Sequence, residues 1–327
     1  MTDAGKIAGA SEGDLKPGSP VLVTGGAGFI GRRVVQLLSK AGHSVRRLDL
    51  PAALQATPGP ALRAGDAGGD VACDLADPNC AAALDSALKG VRTIVHLAGI
   101  LQDGEHTVEA VNLEGSLKLI AACERSDVRR FVYLSSSGAA TGRSRYLNAC
   151  LAVEEALQEQ TRMEEMILRC SPVFGVGDHL LTPIIKLFKS KKWAIPCLQN
   201  GWQTFNPIFV DDVASIIGKL VGDEKAQPNI WTLGGTQPVA LIDMMTMVQD
   251  ATHRVKCILH TPPFLTMLAL PLSNLLWPEA RMSMDLANTI AKDTLLVDGE
   301  ENQTQGLLQS LPTSLESELA RVVEGTV

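Results

Sequence analysis

Four glycines follow an apolar run near the start of the chain, at Gly25, Gly26, Gly28 and Gly31. Glycine lets a turn adopt positive φ and lets the backbone approach a ligand closely, so the amides of a helix N-terminus can point at a pyrophosphate. The spacing Gly26-x-Gly28-x-x-Gly31 is that of the dinucleotide-binding fingerprint. We therefore predict a phosphate-binding turn whose cofactor contacts are Gly25, Gly28, Phe29, Ile30 and Gly31.

A second apolar strand, from Ser44 to Leu48, ends in Asp49 at the distance of about 20 residues that the fingerprint requires. An acidic side chain there accepts hydrogen bonds from an adenosine ribose and repels a 2′-phosphate, which favours NAD over NADP. NADP remains the alternative because Arg32, Arg46 and Arg47 are positively charged and close in sequence to these residues. Arg47 shares a strand face with Asp49, so its guanidinium either neutralises the aspartate or meets a phosphate itself. The simpler alternative is a tight turn followed by an aspartate that only ends a strand.

The elements that position these residues follow from hydrophobic periodicity. The run Val21 to Val23 suits a strand buried on both faces, and helix-face spacing recurs from Ile30 to Ala41. Further predicted elements are strands at Thr93–Leu97 and Phe131–Leu134, a helix at Val108–Glu124 and a loop at Pro51–Gly69. Strands that alternate with helices predict a parallel sheet. The predicted fold class is α/β, a Rossmann-type doubly wound parallel sheet with a smaller C-terminal substrate lobe.

The length of 327 residues suits one large domain and a smaller appended one. We predict a disordered lead-in over residues 1–20, a dinucleotide-binding domain over 21–170 and a lobe over 171–327 that is interleaved with the Rossmann core. The lead-in has neither a signal-peptide nor a transit-peptide pattern. Since no apolar run reaches about 18 residues, we expect no transmembrane span.

Net charge and cysteine content argue against several classes of function. The formal net charge is −7 and no dense Lys/Arg block occurs, which argues against nucleic-acid binding. Seven cysteines without a Cys-x-x-Cys pair argue against a disulfide framework and against a metal site. We expect these cysteines to be core residues in a cytoplasmic or equivalent reducing compartment.

Several motifs occur in the order and spacing of the extended and atypical short-chain dehydrogenase/reductases, which this chain resembles. They are TGGAGFIG from Thr24, Asp49, Asp74-Leu75, HLAG from His96, Asn112-x-x-Gly115, Ser135 to Ser137, Tyr146, ILRCSPVFGVGD from Ile167 and NPIFVDDVA from Asn206. The C-terminal stretches TPPFLTMLALPL, Met282–Val297 and LPTSLESEL resemble one atypical branch. That branch contains the dinucleotide-binding accessory subunit of respiratory complex I and its bacterial relatives.

The resemblance implies further cofactor contacts. Asp74 and Leu75 would meet the adenine, and Ser135 and Tyr146 the nicotinamide ribose. The remaining implied contacts are Leu97, Ala98 and Gly99 along the cofactor, and Pro172 and Val173 beside the nicotinamide. It also implies Tyr146 and Ser137 as the catalytic residues. The competing interpretation is that the three serines only end a strand at a solvent-filled crevice.

One position departs from the family pattern. Active members carry Tyr-x-x-x-Lys on one helix face, where the lysine lowers the tyrosine pKa and the tyrosine transfers a proton. Here Cys150 stands in place of the lysine, and no lysine occurs between Lys118 and Lys186. Arg143 and Arg145 precede Tyr146 in a loop, and an arginine cannot release a proton.

Two function classes follow from this departure. The first is an NAD(P)-binding protein with little turnover, a structural or sensing subunit of a larger protein assembly. The second is an active epimerase, dehydratase or reductase on a nucleotide sugar or a quinone or isoprenoid precursor, with proton transfer rearranged around Tyr146, Ser137 or Cys150. The apolar stretch Phe264–Trp277 would shape an oily pocket or a peripheral membrane surface in the second case.

Three other features have simpler interpretations. His96, inside an apolar run, is expected to be structural. The basic cluster Lys186, Lys189, Lys191 and Lys192 at the end of a predicted helix, Leu180–Lys192, is expected to be a solvated face, with a phosphate clamp as the alternative. Asp211-Asp212 before an apolar helix is expected to be an N-cap.

Overall fold

A computed structural model of the chain describes residues 20–59, 69–262, 265–278, 281–291 and 301–326. Its strands are Val21–Thr24 (β1), Val45–Asp49 (β2), Gly69–Ala72 (β3), Thr93–His96 (β4), Arg130–Ser136 (β5), Glu164–Cys170 (β6), Val173–Phe174 (β7), Ala194–Leu198 (β8), Thr204–Phe205 (β9), Ile208–Phe209 (β10), Asn229–Leu233 (β11), Val239–Ala240 (β12) and Cys257–Thr261 (β13). Its helices are Phe29–Lys40 (α1), Pro51–Ala56 (α2), Ala81–Ala87 (α3), Ser116–Glu124 (α4), Arg145–Glu159 (α5), Leu181–Lys189 (α6), Val210–Gly222 (α7), Leu241–Thr252 (α8), Thr266–Leu276 (α9), Met284–Ala291 (α10), Thr304–Leu308 (α11) and Leu315–Gly325 (α12).

A seven-stranded sheet of order β11-β6-β5-β4-β1-β2-β3 forms the centre, and all of its neighbouring strands are parallel. The chain fills one side of β1 with β2 and β3 and then crosses to the other side with β4. The strand order therefore reverses between β1 and β4, where a crevice opens at the carboxyl ends of the strands. The predicted Rossmann-type doubly wound sheet is confirmed.

Both faces of the sheet are covered, which follows from the alternation of side chains along its strands. Val21 and Val23 of β1 pack with Val34 and Leu38 of α1 on one face, where α7 also lies. Leu22 points to the opposite face and packs with residues of α3, α4 and α5. A strand buried on both faces requires such a continuous apolar run.

The second half of the chain contributes to both parts of the molecule. Its strand β11 extends the central sheet beside β6, and α7 packs against α1. A separate cluster of buried side chains joins α6, α8 and α12 with the paired strands β8 and β13. The smaller lobe and the Rossmann core therefore share one stretch of chain.

Three local predictions need correction. The predicted loop Pro51–Gly69 begins with the short helix α2, since proline is well suited to the first turn of a helix. The predicted helix Val108–Glu124 begins with a π-helical segment, Glu109–Gly115, before α4. Phe209, not Asp211 or Asp212, is the N-cap of α7.

The side chains of Asp211 and Asp212 have other partners. Asp212 accepts hydrogen bonds from the backbone amide of Thr313 at 2.7 Å and from its hydroxyl at 3.0 Å. Asp211 lies 3.5 Å from Arg33 of α1. These contacts tie the start of α7 to two distant parts of the chain. The predicted lead-in lies outside the described residues except for Pro20, as do residues 263, 264 and 292–297 of the C-terminal motifs.

The cysteines are buried as predicted, except at one site. All seven cysteines are free, and six are buried, whereas Cys257 is exposed. In the described part of the chain, no group of His, Cys, Asp and Glu is arranged to hold a metal ion. None of the described helices is long and apolar enough to cross a membrane.

Gly115→Ala tests the close contact between the π-helical segment and Leu75, in the segment after β3. A Cβ at this position would lie 2.8 Å from the Cβ of Leu75 and 3.1 Å from its carbonyl oxygen. Overpacking of this kind costs about 1–3 kcal/mol, so we expect the urea unfolding midpoint to fall. Gly104→Ala is the control, because a Cβ there meets nothing within 4 Å. An unchanged midpoint for Gly115→Ala would contradict the contact.

Candidate functional site

The glycine turn lies directly against the end of β4. Gly25 adopts φ +66°, and a Cβ on it would lie 2.8 Å from the amide nitrogen of Ala98. A Cβ on Gly31 would lie 2.0 Å from the carbonyl oxygen of Gly25. Both glycines are therefore required by packing within the protein. The structure thus brings together the glycine turn and the Leu97–Ala98 segment, which are far apart in sequence.

Gly28 differs from these two glycines. A Cβ on Gly28 would meet one neighbour within 4 Å, the Gly25 carbonyl oxygen at 3.1 Å. Gly28 is also the N-cap of α1, where backbone amides lack helical partners. Space at a helix N-terminus is the geometry that a pyrophosphate needs. The fit of a dinucleotide to this turn therefore rests on Gly28.

Asp49 lies beside the turn at the end of β2. One of its carboxylate oxygens accepts a hydrogen bond from the amide of Ala27 at 2.9 Å, and the other from the amide of Leu50 at 2.8 Å. The side chain is half-buried. Asp49 thus holds an acidic group against the glycine turn.

The three arginines that kept NADP open have partners elsewhere. Arg47 is buried and pairs with Asp70, the residue opposite it on β3, with Nε 2.7 Å from the carboxylate. The interpretation in which Arg47 neutralises Asp49 is therefore wrong. Arg46 donates to the carbonyl oxygen of Ala87, and Arg32 donates to that of Val176.

At the expected adenine end, Asp74 already has protein partners. Its carboxylate lies 2.7 Å from Nε2 of His106 and accepts a hydrogen bond from the amide of Ala76. Leu75, the next residue, lies against Gly115 of the π-helical segment. The segment after β3 thus packs against the π-helical segment.

His96 is a structural residue in this arrangement. Its Nδ1 lies 2.6 Å from Oγ1 of Thr24, and its Nε2 lies 2.8 Å from Oγ of Ser116. The Ser116 hydroxyl donates to the carbonyl oxygen of Asn112, so it accepts from Nε2–H, and Nδ1 accepts from Thr24. Burial lowers the pKa of His96 to about 4, which keeps the ring neutral. The ring therefore joins β1, β4 and α4.

Asn112 positions the loop that follows Gly99. Its amide group donates to the carbonyl oxygen of Ile100 at 2.9 Å and accepts from the amide of Ile100 at 2.8 Å. The π-helical segment places this buried side chain against the loop. The backbone beyond HLAG is thereby fixed at the edge of the crevice.

The predicted catalytic pair occupies α5. Ser144 caps this helix by accepting a hydrogen bond from the amide of Leu147, and Tyr146 and Cys150 lie one turn apart on one face. The Cys150 thiol lies beside the hydroxyls of both Tyr146 and Tyr133, the only two tyrosines of the chain. Tyr146 also lies beside Ser136.

The electrostatics of this cluster favour neutral groups. Burial raises the pKa of Cys150 to about 11, although the adjacent tyrosine hydroxyls partly oppose the rise. Burial, and then the neighbouring Cys150, raise the pKa of Tyr146 well above 10. An ammonium group at position 150 would act in the opposite direction. The tyrosine is thus held in its protonated form.

One turn beyond Cys150, the same helix face carries a buried carboxylate. Glu154 pairs with Arg169 of β6 at 2.7 Å and accepts a hydrogen bond from the hydroxyl of Ser135. The positive charge of the Arg169 guanidinium is therefore balanced by the Glu154 carboxylate. Arg145 pairs with Asp103 at 2.8 Å.

The predicted serine Ser137 lies at the carboxyl end of β5. Its amide donates to the carbonyl oxygen of Cys170, and its buried Oγ has no hydrogen-bond partner in the protein. Pro172 and Val173 follow β6, and the Pro172 carbonyl accepts from the amide of Ile208. A buried hydroxyl without a protein partner is suited to a ligand at this edge.

Sequence reasoning missed four residues of this region, Tyr133, Ser136, Glu154 and Arg169. Spacing would have indicated Glu154, because it lies eight positions after Tyr146 on the same helix face. Arg169 stands opposite Ser135 in the β5–β6 register, which requires knowledge of the strand order. Tyr133 gives no local signal of its contact with Cys150.

The model of the family described as "NAD dependent epimerase/dehydratase family" matches residues 21–234, more than half of the chain. The chain belongs to this family. The predicted resemblance to extended short-chain dehydrogenases is confirmed, and NAD is the cofactor named in the family description.

Two curated relatives show the breadth of the family. A 3-beta-hydroxysteroid dehydrogenase of Mycolicibacterium neoaurum is 34% identical in an alignment of 224 positions that covers 62% of this chain and 55% of that protein. The NADH dehydrogenase [ubiquinone] 1 alpha subcomplex subunit 9 of Arabidopsis thaliana mitochondria is 26% identical in an alignment of 288 positions that covers 84% of this chain and 70% of that protein. The chain thus spans about half the length of its steroid dehydrogenase relative.

Among solved structures, MoeE5 in complex with UDP-glucuronic acid and NAD superposes with a TM-score of 0.70. The match covers 94% of this chain and 98% of that chain at 21% sequence identity. At this identity the likeness concerns the fold, and it extends over both the central sheet and the smaller lobe.

Cys150→Ala tests the burial of the thiol through the pH dependence of stability. The pKa of Cys150 is about 11 in the folded protein against an ordinary 9.0. Its contribution is therefore complete below pH 9.0 and is lost as the pH rises towards 11, because the unfolded chain releases this proton first. The contribution is at most about 3 kcal/mol.

We expect urea unfolding to show a smaller loss of stability across this pH window for Cys150→Ala than for the natural chain. Cys257→Ala, at an exposed thiol, is the matched control and should retain the full loss. Equal pH dependence in the two variants would mean that the Cys150 thiol is not buried as described.

Proposed function

We propose that this chain binds NAD in the crevice between β1 and β4 and turns it over little, if at all, as a structural or sensing subunit of a larger protein assembly. The observation that carries the proposal is Cys150. Its thiol lies between two tyrosine hydroxyls at the position where active family members place the lysine ammonium group.

The binding half of the proposal assigns the cofactor to the carboxyl edge of the sheet. The pyrophosphate would lie at Gly28 and the α1 amides, the adenosine ribose at Asp49, and the adenine near Asp74 and Leu75. Leu97, Ala98 and Gly99 would follow the cofactor towards Tyr146. The partnerless Ser137 hydroxyl supports a ligand at that end.

NAD is favoured over NADP because Asp49, the acid beside the turn, contacts backbone amides and not an arginine. Asp49 bonds to backbone amides, whereas Arg47 pairs with Asp70 on the neighbouring strand. A 2′-phosphate next to the Asp49 carboxylate would meet repulsion. We expect the affinity for NAD to exceed that for NADP.

The low-turnover half of the proposal rests on proton transfer. NAD supplies a hydride acceptor when bound, and the protein must take up or release a proton at the substrate oxygen. In this chain Tyr146 has a pKa well above 10, raised by burial and by Cys150. Each unit of unfavourable pKa shift costs about 1.4 kcal/mol, so Tyr146 is a poor base near neutral pH.

The assembly role is supported by similarity over most of the chain. The Arabidopsis thaliana relative is named as a subunit of NADH dehydrogenase, and the match covers 84% of this chain. A protein whose dinucleotide does not turn over retains a use as a folded, ligand-stabilised subunit, because a ligand that binds only the native state stabilises it.

The alternative is an active enzyme, and one observation favours it. Tyr146 is retained, with Ser136 and Cys150 beside it and with Ser137 nearby in sequence. The substrate would be a nucleotide sugar or a quinone or isoprenoid precursor. It could also be an apolar alcohol such as the hydroxysteroid in the name of the Mycolicibacterium relative. The proton would then pass through a rearranged network of hydroxyl groups.

Gly28→Val tests the dinucleotide site. The branched side chain would fill the space at the α1 N-terminus and displace the pyrophosphate, with the loss of two or more charge-assisted hydrogen bonds. Such a loss lowers the affinity about 100-fold or more. Calorimetric titration with NAD and NADP measures it, and Gly104→Val serves as the control. Unchanged NAD affinity in Gly28→Val would refute the assignment of this turn.

Tyr146→Phe and Cys150→Lys together test the low-turnover role. We expect Tyr146→Phe to leave the small residual turnover unchanged on nucleotide-sugar, quinone-like and steroid alcohols. Cys150→Lys should lower the Tyr146 pKa, which an ultraviolet titration of the phenol detects. Leu147→Met, beside the pair on the helix, is the packing control. A loss of turnover of more than about ten-fold in Tyr146→Phe, or about 1.4 kcal/mol in the barrier, would make the chain an enzyme.

A further inference from the structure

Helix α9 turns an apolar face outwards. Leu268 is 77% exposed and Leu275 is 74% exposed, and Leu272 between them is exposed as well. These leucines lie at positions i, i+4 and i+7, so they share one face, whereas Leu270 is buried. A surface helix normally directs its apolar stripe to the core. The orientation of α9 is the reverse, which marks an interaction site.

Two neighbouring segments continue this apolar face. Trp277, directly after α9, donates from Nε1 to the carbonyl oxygen of Ala194 at 3.1 Å. The residue before Ala194 is Trp193, which is 76% exposed. The amide of Cys257 donates to the carbonyl oxygen of Trp193, and this brings exposed Val255 to the same edge. We call Trp193, Val255, Leu268, Leu272 and Leu275 the apolar surface.

Basic side chains border the apolar surface. Lys192 places its Nζ 5.8 Å from the centre of the Trp277 ring, and Lys256 donates to the carbonyl oxygens of Ser190 and Lys192. Lys191 and Arg254 lie beside them in sequence and are exposed. These four residues are the basic border.

The charge around this surface is opposite to that of the whole chain. The formal net charge is −7, yet the sequence has no Asp or Glu from Lys186 to Trp202 or from His253 to Pro278. Charge separation of this kind selects a negatively charged partner. The partner must therefore combine anionic groups with an apolar layer.

We propose that the apolar surface docks on a lipid bilayer that contains anionic lipids. The leucines and Trp193 would enter the boundary between headgroups and acyl chains, while the basic border would face the lipid phosphates. The 11-residue helix α9 would lie in the membrane plane, since none of the described helices can span it. The proposal uses no residue of the dinucleotide site and does not depend on NAD binding.

Protruding leucines on a convex helix favour a bilayer over a protein partner. A protein partner would need complementary pockets for side chains that stand apart, whereas acyl chains adapt to any apolar shape. Tryptophan and long basic side chains are also enriched where proteins meet membrane interfaces. A second copy of this chain would bring two basic borders together, which like-charge repulsion opposes.

Vesicle sedimentation with the full chain tests the proposal. One vesicle preparation contains phosphatidylcholine alone, and the other contains equal parts of phosphatidylcholine and phosphatidylglycerol. We expect the chain to sediment with the mixed vesicles and to bind them less at high salt, because salt screens the basic border. Addition of NAD should leave the sedimentation unchanged.

Two double variants separate the apolar and the electrostatic contributions. Leu268→Ser/Leu275→Ser should weaken binding to the mixed vesicles about 100-fold, or about ten-fold for each leucine. Lys191→Gln/Arg254→Gln should weaken it roughly 25-fold, or about five-fold for each charge. The control Leu311→Ser/Lys225→Gln changes an equally exposed leucine and a lysine outside these segments and should bind like the natural chain. All six positions are exposed, and thermal unfolding verifies that the variants fold.

Three outcomes would overturn the proposal. The first is no sedimentation with either vesicle type, and the second is equal sedimentation of the natural chain and both double variants. The third is a stable dimer in lipid-free ultracentrifugation that Leu268→Ser/Leu275→Ser dissociates, since the surface would then cover a second copy. Failure of vesicle binding with intact NAD affinity leaves the proposed function standing, so the two proposals fail separately.

Discussion

The backbone of the glycine turn touches the end of β4, and no side chain fits between them. Gly25 approaches Ala98, and Gly31 approaches Gly25, at distances where any Cβ would collide. This contact brings the carboxyl ends of β1 and β4 together at the point where the strand order reverses. The buried ring of His96 in β4 joins the same two strands through its hydrogen bond with Thr24 of β1. The ring is neutral because burial lowers its pKa to about 4. The crevice exists because these close contacts leave its open side to the α1 N-terminus.

Charge within the crevice is arranged by short-range pairing. Asp49 bonds to backbone amides, Arg47 to Asp70, and Arg169 to Glu154. A buried charge that is paired in this way contributes little long-range field, since its partner cancels it. The hydroxyl and thiol cluster of Tyr133, Cys150 and Tyr146 stays neutral chiefly because burial raises the pKa of each group.

The smaller lobe joins these features to the outer surface. The strands β8 and β13 hold Trp277 at the end of α9, and α10 packs against α5, the helix that carries Tyr146. Gln102 accepts a hydrogen bond from the amide of Ser283 at 2.8 Å. Gln102 lies in the loop that Asn112 holds through Ile100. The helix with the exposed leucines is therefore connected through α10 to the edge of the crevice.

Local sequence determined the elements around the site. The run Val21–Val23, the glycine spacing and the periodicity of α1 define a strand, turn and helix, because steric freedom and side-chain alternation act over a few residues. The alternation of such units predicted the parallel sheet, and the absence of lysine at position 150 was visible from the spacing to Tyr146. The predictions that failed concerned Pro51–Gly69, the start of the helix Val108–Glu124 and the cap of α7, all of which depend on capping and on distant contacts.

Tertiary structure decided which side chains meet. Arg47 and Asp49 share a strand face, yet Arg47 pairs with Asp70 because β3 lies beside β2 in register. Tyr133 reaches Cys150 because α5 packs against β5, and the end of α9 is fixed to β8 by the hydrogen bond from Trp277. Periodicity shows that a helix has an apolar face but does not show what that face contacts. Partners far apart in sequence are set by strand order and packing, which no local pattern encodes.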